Sequence, residues 1–463
     1  MRMGVFLVIG IVVSLASNSF GAEPVQLDPD FLAKEFSRAE ERYGVPARLL
    51  MAIAFEASQW TNLTPEKTGG RFKPIYGVMG LKIGNWFSDT LSEAAQLSQL
   101  PGEDLAQTQA RLKSDPASNI DAAAKLLQSY AFEHGLKAIN DPEWKANPLK
   151  WAEAVRRFSG IPASGLPGLD DTELYLYEIY SSVGETMQFG DTRIAPVPID
   201  VPSAFKAHLE NLGIVSSDHT PKAPSQASPN QPPKDWCYLP ATRTTPQGIK
   251  DVWASRTGSG PQPGDMVNLG LVKMLWEPTP NCRPGRLGEK PEVIIIHDME
   301  GGFSGTISWF KNPDPRDDDG KPVDRTSAHF LIRSRDGFIA KMVRELDTAL
   351  HVRSANFLAL GIEHEGFATP QSRANHYYTE AMYKSSAKLV SQLAKTYDIP
   401  KDPAHIFGHD VNDRTRDPNS PFTKNLEDNP LKQRGVINAL AHHDPGIYWN
   451  WEHHYELFGG TFE

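Results

Sequence analysis

The sequence has little cysteine, no long apolar run and no excess of positive charge. It contains 2 cysteines in 463 residues, and its formal net charge at pH 7 is -10. This balance argues against a nucleic-acid binder, because neutralising phosphates requires a basic surface. No segment approaches the roughly 20 apolar residues of a membrane-spanning helix. Hydrophobic and charged contents of 40% and 22% are typical of soluble globular proteins. A chain of this length is expected to form more than one domain.

The first 22 residues have the pattern of a secretory signal peptide. A charged start at Arg2 precedes an apolar run from Gly4 to Ala16, and small residues follow up to Ala22. The apolar run is too short to span a bilayer. We therefore expect a signal peptide at residues 1–22 and an exported, soluble protein that is periplasmic or secreted.

The two cysteines are Cys237 and Cys282. Export favours a disulfide between them over two free thiols, because disulfides persist in oxidising compartments. Such a bridge would close a loop of about 46 residues and contribute about 4 kcal/mol in the chain-entropy model. Its expected role is structural.

Residues 23–200 have a helical pattern. Asp28 begins a helix with apolar residues at three-to-four spacing, and Pro46 suits the first turn of a helix over Ala47–Ser58. Later helices are predicted at Asn119–His134, Pro148–Phe158 and Thr172–Val183. Because no strand pattern of any length occurs, we predict an all-α domain.

Residues 201–235 are predicted to be a linker. A short helical piece covers Pro202 to Leu212, and Pro, Ser, Gln and Ala dominate residues 220–235. Such a composition cannot bury enough apolar surface to fold, and its prolines stiffen the chain. Residues 236–275 are expected to be an ordered arm, since the proposed disulfide ties them to the next domain.

Residues 276–463 alternate strand and helix signals, which predicts a mixed α/β domain with a central β-sheet. Strands are predicted at Val293–Ile296, Ala328–Ile332, Phe338–Val343, Leu358–His364 and His405–Phe407, and helices at Gly305–Phe310 and Tyr378–Tyr397. The four β-branched residues of the first strand indicate a strand that is buried on both faces.

Polar residues occur where these strands end. His297, Glu363 and His409 end or follow strands, and Asp444 lies in a later loop. Two imidazoles and one carboxylate can form a three-ligand zinc site that keeps a fourth position for water or substrate. The sequence has no HExxH motif, so the spacing alone leaves open an ordinary structural role for the same residues.

Seven short stretches of this domain occur in an order that is typical of one family. They are Val-Ile-Ile-Ile-His at 293–297, Gly-Thr-Ile-Ser-Trp-Phe at 305–310, Ser-Ala-His-Phe-Leu-Ile at 327–332, Thr-Ala-Leu-His at 348–351, Gly-Ile-Glu-His-Glu-Gly at 361–366, Phe-Gly-His at 407–409 and Asp-Pro-Gly at 444–446. Over about 175 residues the chain resembles the zinc-dependent N-acetylmuramoyl-L-alanine amidases, the type 2 amidases, which include the peptidoglycan recognition proteins.

The resemblance implies an activity and a set of site residues. One Zn²⁺ would activate a water to cleave the amide between N-acetylmuramic acid and L-alanine in peptidoglycan or a muropeptide. The implied metal ligands are His297, His409 and Asp444; the implied catalytic residues are Glu363 and His442; and His351 is expected to contact substrate. His443 is an alternative to His442.

The sequence departs from the family pattern at two places. Leu350 stands where members commonly have tryptophan. About 34 residues separate His409 from Asp444, where many members have a shorter loop. The insertion at 413–441 could be a lid, a wall of the substrate site or a tolerated surface loop.

The helical domain resembles the lysozyme-like fold of lytic transglycosylases. Tyr-Gly-Val-Pro at 43–46, Ser-Gln-Trp at 58–60, Tyr-Gly-Val-Met-Gly-Leu at 76–81 and Arg-Phe-Ser-Gly at 157–160 carry this resemblance. Ala57 occupies the position of that family's catalytic glutamate, and Glu56 is one residue earlier. A one-residue shift rotates a helical side chain by about 100°.

We therefore expect the helical domain to have a non-catalytic role, either glycan-binding or structural. One alternative is a bifunctional enzyme that also cleaves glycan, with Glu56 as the acid. Another is a peptidoglycan recognition protein that binds without hydrolysis.

Overall fold

The chain forms a helical region at residues 27–204 and a sheet region at residues 265–463. The structure is a computed structural model. It describes residues 27–63, 75–84, 87–139, 141–161, 171–189, 192–204, 265–312, 315, 324–368, 377–411, 418–437 and 442–463. The predicted signal peptide, most of the predicted linker, and Cys237 lie outside the described residues, so these expectations stay predictions. Among the described residues, no helix has both the length and the apolar character needed to cross a membrane.

The helical region consists mainly of α-helices. They are α1 (Pro29–Tyr43), α2 (Ala47–Ser58), α3 (Thr90–Ser98), α4 (Leu105–Ser114), α5 (Pro116–Glu133), α6 (Pro142–Ala146), α7 (Ala152–Phe158), α8 (Asp171–Gly184) and α9 (Val201–Ala204). In the described part of this region, two short antiparallel pairs accompany them, β1 (Ile75–Tyr76) with β2 (Leu81–Lys82) and β3 (Met187–Phe189) with β4 (Thr192–Ile194). The sequence predicts no strand there, because two or three residues are too few to show alternation.

Capping side chains explain where several helices begin. Asp28 accepts a hydrogen bond from the backbone N–H of Asp30 at the start of α1. Asp104 and Gln107 form a reciprocal capping box at α4. Helix α2 follows Pro46 and has the predicted bounds. Because these signals are local, the sequence places such helices to within a few residues.

The described part of the sheet region contains seven strands in one mixed sheet. Its strands and those of a small separate pair are β5 (Met266–Leu269), β6 (Val272–Trp276), β7 (Cys282–Arg283), β8 (Val293–Asp298), β9 (Phe330–Ile332), β10 (Ile339–Lys341), β11 (Thr348–Ala349), β12 (Ala359–His364) and β13 (Ile406–Gly408). The order in the large sheet is β13-β8-β12-β9-β10-β6-β5, and β7 pairs with β11. Strand β8 lies between two parallel neighbours and is buried along its whole length, as its apolar run predicts.

Helices cover this sheet. They are α10 (Phe303–Phe310), α11 (Glu380–Tyr397), α12 (Pro421–Lys424), α13 (Pro430–Gln433) and α14 (Trp451–Phe458). Helix α11 buries one face, including Met382, Leu389 and Leu393, as its spacing predicts. Helix α14 packs against α11. The predicted mixed α/β domain with a central sheet is therefore observed.

The sheet begins earlier in the chain than the sequence indicates. We expect an arm at residues 236–275, but β5 and β6 within it already belong to the sheet. Gly270, with a φ of 57°, lies in the turn that joins these two strands. The two strands are short and lie in a segment rich in Gly, Pro and Thr, which weakens the alternating pattern. The rest of the arm lies outside the described residues.

The two regions pack against each other. Helix α8 contacts α10, and apolar residues of both regions share one buried cluster. The turn between β9 and β10 supplies two arginines to this interface. Arg333 Nη1 lies 3.5 Å from Glu178 Oε1, and Arg335 forms ion pairs with Glu56 and, at 2.9 Å, with Glu185. Both ion pairs and apolar contacts therefore join the two regions.

Gly302 permits a close backbone approach at the same interface. A Cβ at this position would lie 3.1 Å from the carbonyl oxygen of Glu56. Gly302 also precedes α10 directly, within the loop that follows β8. The helical region therefore touches the loop that leaves the central strand.

We expect Arg335→Met to lower the free energy of unfolding by about 3 kcal/mol, because it leaves the mostly buried Glu56 carboxylate, at 10% exposure, without its cation. Urea unfolding followed by tryptophan fluorescence measures this. Arg434→Met is the control, since Arg434 pairs with Glu289 and Glu292 on the surface, and we expect its midpoint to match the wild type. Equal curves for Arg335→Met and the wild type would contradict the proposed role of the ion pair.

Candidate metal centre

The register between two parallel strands brings the first two candidate residues together. His297 of β8 and Glu363 of β12 are direct partners in the ladder. Partners in a ladder project to the same face, so both side chains lie on one side of the sheet at the ends of their strands. Both residues are buried, with 2% and 8% exposure.

A neighbouring strand and a C-terminal loop add two more candidates. His409 follows β13, and its backbone N–H donates to the carbonyl of Ile296 at 3.3 Å. The backbone N–H of Asp410 donates to the carbonyl of Asp444 at 2.9 Å, which fixes the loop beside the strand end. Gly408 leaves room for this loop, because a Cβ there would lie 2.7 Å from Pro445 Cδ.

His297, His409 and Asp444 converge as the sequence indicates. Nδ1 of His297 lies 2.7 Å from Asp444 Oδ2, and Nδ1 of His409 lies 3.3 Å from Asp444 Oδ1. One donor atom from each of the three lies within 4.8 Å of the others. Ligands at about 2 Å from a tetrahedral zinc lie roughly 3–4 Å apart. Two imidazoles and a carboxylate in this arrangement therefore fit a metal ion.

The protonation states also fit a metal site. Burial lowers the pKa of His297 to about 4, although Asp444 beside it acts in the opposite direction. Burial alone would raise the pKa of Asp444, but His409 and His297 hold it well below its ordinary value. At neutral pH the imidazole of His297 is therefore neutral and the carboxylate is ionised, which are the forms that bind metals.

His442 lies beside these residues. Nδ1 of His442 is 2.8 Å from Asp444 Oδ1, and its ring stacks on His409 with centroids 4.7 Å apart. The hydrogen bond with Asp444 raises the pKa of His442, while partial burial acts against it. His443 is exposed. Of the two adjacent histidines, His442 is the one whose imidazole, when protonated, lies next to the candidate metal ligands.

His351 also lies at the site, behind the ring of His297. Its Nδ1 is 2.9 Å from His297 Nε2. Its own Nε2 is buried and makes no hydrogen bond with the part of the chain that the structure describes. Gly361 makes space for this ring, because a Cβ there would come within 2.6 Å of His351 Nδ1.

Several supporting residues could not be identified from their sequence patterns. On the opposite face of the sheet, Nδ1 of His364 donates to the carbonyl of His297 at 2.9 Å, and the Ser386 hydroxyl lies 2.8 Å from its Nε2. The Tyr378 hydroxyl donates to the carbonyl of Pro445 at 2.7 Å and lies 3.0 Å from Asp298 Oδ2. These contacts fix the strand end and the Asp444 loop. Of these supporting residues, His364 alone has a signal in the sequence, because it is adjacent to Glu363.

Glu56 is not part of this constellation. Its carboxylate pairs with Arg335 and accepts a hydrogen bond from the Ser182 hydroxyl. Ala57 instead faces Gly80, where an added Cβ would lie 2.6 Å from the Ala57 methyl. The two neighbours therefore point in different directions, as a rotation of about 100° per residue requires.

The described part of the insertion packs on the sheet region. Helices α12 and α13 and a 3₁₀ turn at Leu426–Asp428 lie within residues 418–437. Phe422 and Leu431 are buried, and the Phe422 ring centroid is 5.1 Å from that of Trp451. This part is anchored by apolar contacts to α14.

Comparison with known proteins identifies relatives of the sheet region. The pattern of the family described as N-acetylmuramoyl-L-alanine amidase matches residues 287–420. N-acetylmuramoyl-L-alanine amidase A of Achromobacter lyticus is 30% identical over 192 residues, which are 40% of this chain and 93% of the relative.

Solved structures match a similar share of the chain. A selenomethionine derivative of AmpD is 22% identical in sequence, with a TM-score of 0.27. The match covers 42% of this chain and 98% of the AmpD chain. A mutant endolysin from Bacillus subtilis is 19% identical in sequence, with a TM-score of 0.23. The match covers 37% of this chain and 99% of the endolysin chain.

We expect Gly361→Ala to lower the free energy of unfolding by about 1–3 kcal/mol, because the added methyl group collides with the His351 ring. Gly305→Ala is the matched control: a Cβ at Gly305 has open space in helix α10, so we expect equal or higher stability. Urea unfolding of the two variants measures the difference. The proposed packing of His351 is wrong if Gly361→Ala is as stable as Gly305→Ala.

Proposed function

Because the chain belongs to the family of N-acetylmuramoyl-L-alanine amidases, which act on peptidoglycan, we propose that it cleaves its amide substrate with a single zinc ion. The proposed ligands are His297, His409 and Asp444. The bond would be the amide between the lactyl group of N-acetylmuramic acid and L-alanine.

The convergence of these three side chains is the observation that carries the proposal. They come from β8, from the end of β13 and from a loop before α14, which are far apart in sequence. Their exposed fractions are 3%, 9% and 6% for the side chains of His297, His409 and Asp444. Two imidazoles and a carboxylate as the only protein ligands are typical of catalytic zinc, whereas structural zinc commonly has four protein ligands.

Zinc bound there would lower the pKa of a water to about 7 and polarise the substrate carbonyl. Glu363 is the ladder partner of His297, so its carboxylate lies on the face of the sheet that carries the proposed ligand His297. We propose that its carboxylate accepts the proton of the attacking water and passes it to the leaving amine of L-alanine.

His442 and His351 would act on the substrate from two sides. His442 carries a raised pKa, which favours its protonated, donating form. We propose that it donates to the oxyanion of the tetrahedral intermediate. His351 contacts His297 Nε2 and would both orient that ring and line the substrate site.

We propose a non-catalytic role for the helical region. Glu56 is 10% exposed at its side chain and already pairs with Arg335. A general acid for glycoside cleavage must point its carboxyl group at the leaving oxygen, whereas Arg335 and the Ser182 hydroxyl hold the Glu56 carboxylate at the interface. This arrangement favours a structural or glycan-binding role over a second, glycan-cleaving activity.

Cell-wall chemistry also supports export of the mature protein. Peptidoglycan lies outside the cytoplasmic membrane, and the first 22 residues have the pattern of a signal peptide. We therefore propose a periplasmic or secreted location.

We expect chelation to abolish release of free stem peptides from purified peptidoglycan, and one equivalent of zinc to restore it. Glu363→Gln should bind zinc as the wild type does but lower kcat by about 10²-fold or more, because the proton acceptor is lost. Mass spectrometry of the digest and the zinc content per chain measure the two effects. Peptide release under full chelation would refute the zinc mechanism.

We expect His442→Ala to lower kcat by about 10²-fold, the typical loss for one oxyanion donor. His442→Lys should recover much of the rate, because lysine also presents a cationic donor. His443→Ala is the control and should keep wild-type kcat, since that side chain is exposed. If His443→Ala loses activity and His442→Ala does not, the assignment of the two histidines is reversed.

A further inference from the structure

A cavity of about 480 Å³ lies between the helical and sheet regions. Its volume is within the range of about 300–1,000 Å³ for small-ligand sites. Helices α2 and α8 provide one wall, and the β9–β10 turn and the segment after β12 provide the other. The proposed zinc ligands do not line it.

The described residues that line the cavity have an excess of negative charge. Glu56, Glu185 and Glu365 contribute three carboxyl groups, and Arg335 contributes one guanidinium. Arg335 is already shared between Glu56 and Glu185. The C-terminal end of α2 at Gln59 adds the negative end of a helix dipole. A cation is the kind of ligand that such a field attracts.

Glu365 forms the inner, buried part of this wall. Its two carboxyl oxygens accept hydrogen bonds from the backbone N–H groups of Phe303 at 3.0 Å and Ser334 at 2.8 Å. Burial, with the nearby Glu56 carboxylate, raises the pKa of Glu365 to about 7. A positively charged ligand would stabilise its ionised form.

Tyr377 provides a second, independent indication of a ligand. It lines the cavity at 4% exposure, and its hydroxyl has no hydrogen-bond partner within the described chain. A buried hydroxyl without a partner is unfavourable. Its ring and that of Phe55 also offer aromatic faces, which attract cations. Glu185, at 61% side-chain exposure, connects the cavity to the surface.

We propose that this cavity binds a ligand that carries an ammonium group on an aliphatic chain. The ammonium would contact the carboxylates of Glu185 and Glu365 and the hydroxyl of Tyr377. Free diamines carry this group, and so does the diamino acid of a peptidoglycan stem peptide. The cell-wall source rests on the proposed function, whereas ammonium binding does not.

Ligand titrations followed by NMR on the full chain test the charge requirement. The probes are Nα-acetyl-L-lysine methylamide and its Nε-acetylated form, which differ in the ammonium charge. We expect the charged probe to bind at least tenfold more tightly. Equal affinity for the two probes would overturn the proposal.

Variants then test the location. Tyr377→Phe and Glu185→Gln should weaken binding of the charged probe threefold or more, and each keeps the shape of the side chain. Glu427→Gln is the control, since Glu427 is exposed and lies outside the cavity. Asp444→Ala should retain binding, which separates this cavity from the proposed metal site. Wild-type affinity in both cavity variants would overturn the assignment.

A third comparison identifies the source of the ammonium. Tighter binding of the tripeptide L-Ala-γ-D-Glu-L-Lys than of 1,5-diaminopentane supports a cell-wall ligand. Equal or tighter binding of the diamine overturns that source. None of these titrations measures amide hydrolysis, so failure of the cavity proposal is distinguishable from failure of the zinc mechanism.

Discussion

The parallel pairing of β8 with β12 is the constraint on which the site depends. One ladder places His297 beside Glu363, and Gly361 on the same strand makes room for His351. A shift of one residue in this register would turn Glu363 to the opposite face of the sheet. The buried apolar run of β8 opposes such a shift, because both of its faces pack in the core. The geometry of the candidate site is therefore set by the packing of apolar residues that are not part of it.

The interface between the two regions contains ion pairs in addition to a shared apolar cluster. Arg333 and Arg335 leave one turn of the sheet region and reach Glu178, Glu56 and Glu185 of the helical region. Removing a buried charged pair from water costs free energy, and the geometry has to be good for the pair to offset that cost. Such pairs give orientation to an interface more readily than they give stability. This favours a fixed arrangement of the two regions.

The sequence predicts the parts of this structure that rest on local signals. Helix α2, the strand run before His297 and helix α11 follow from caps, prolines and periodicity. The proposed zinc ligands follow from motifs whose order resembles that of the family. The contact of Arg335 with Glu56, 279 positions away, could not be predicted, and neither could the cavity at Tyr377, because they join distant residues that have no shared pattern. The sequence does not predict strands β5 and β6 for a different reason: they are short and lie in a segment rich in Gly, Pro and Thr.

The close approach of Gly302 to the Glu56 carbonyl has a consequence for residues 205–235 of the predicted linker. The two regions approach each other closely at backbone atoms and also form ion pairs. Their surfaces would therefore attract each other even without a covalent connection. The covalent connection then acts mainly by keeping the two surfaces at a high effective concentration before they meet. Its length and composition can therefore vary widely without altering the docked arrangement, provided that it spans the distance. Selection would act on the contact surfaces rather than on the connection between them.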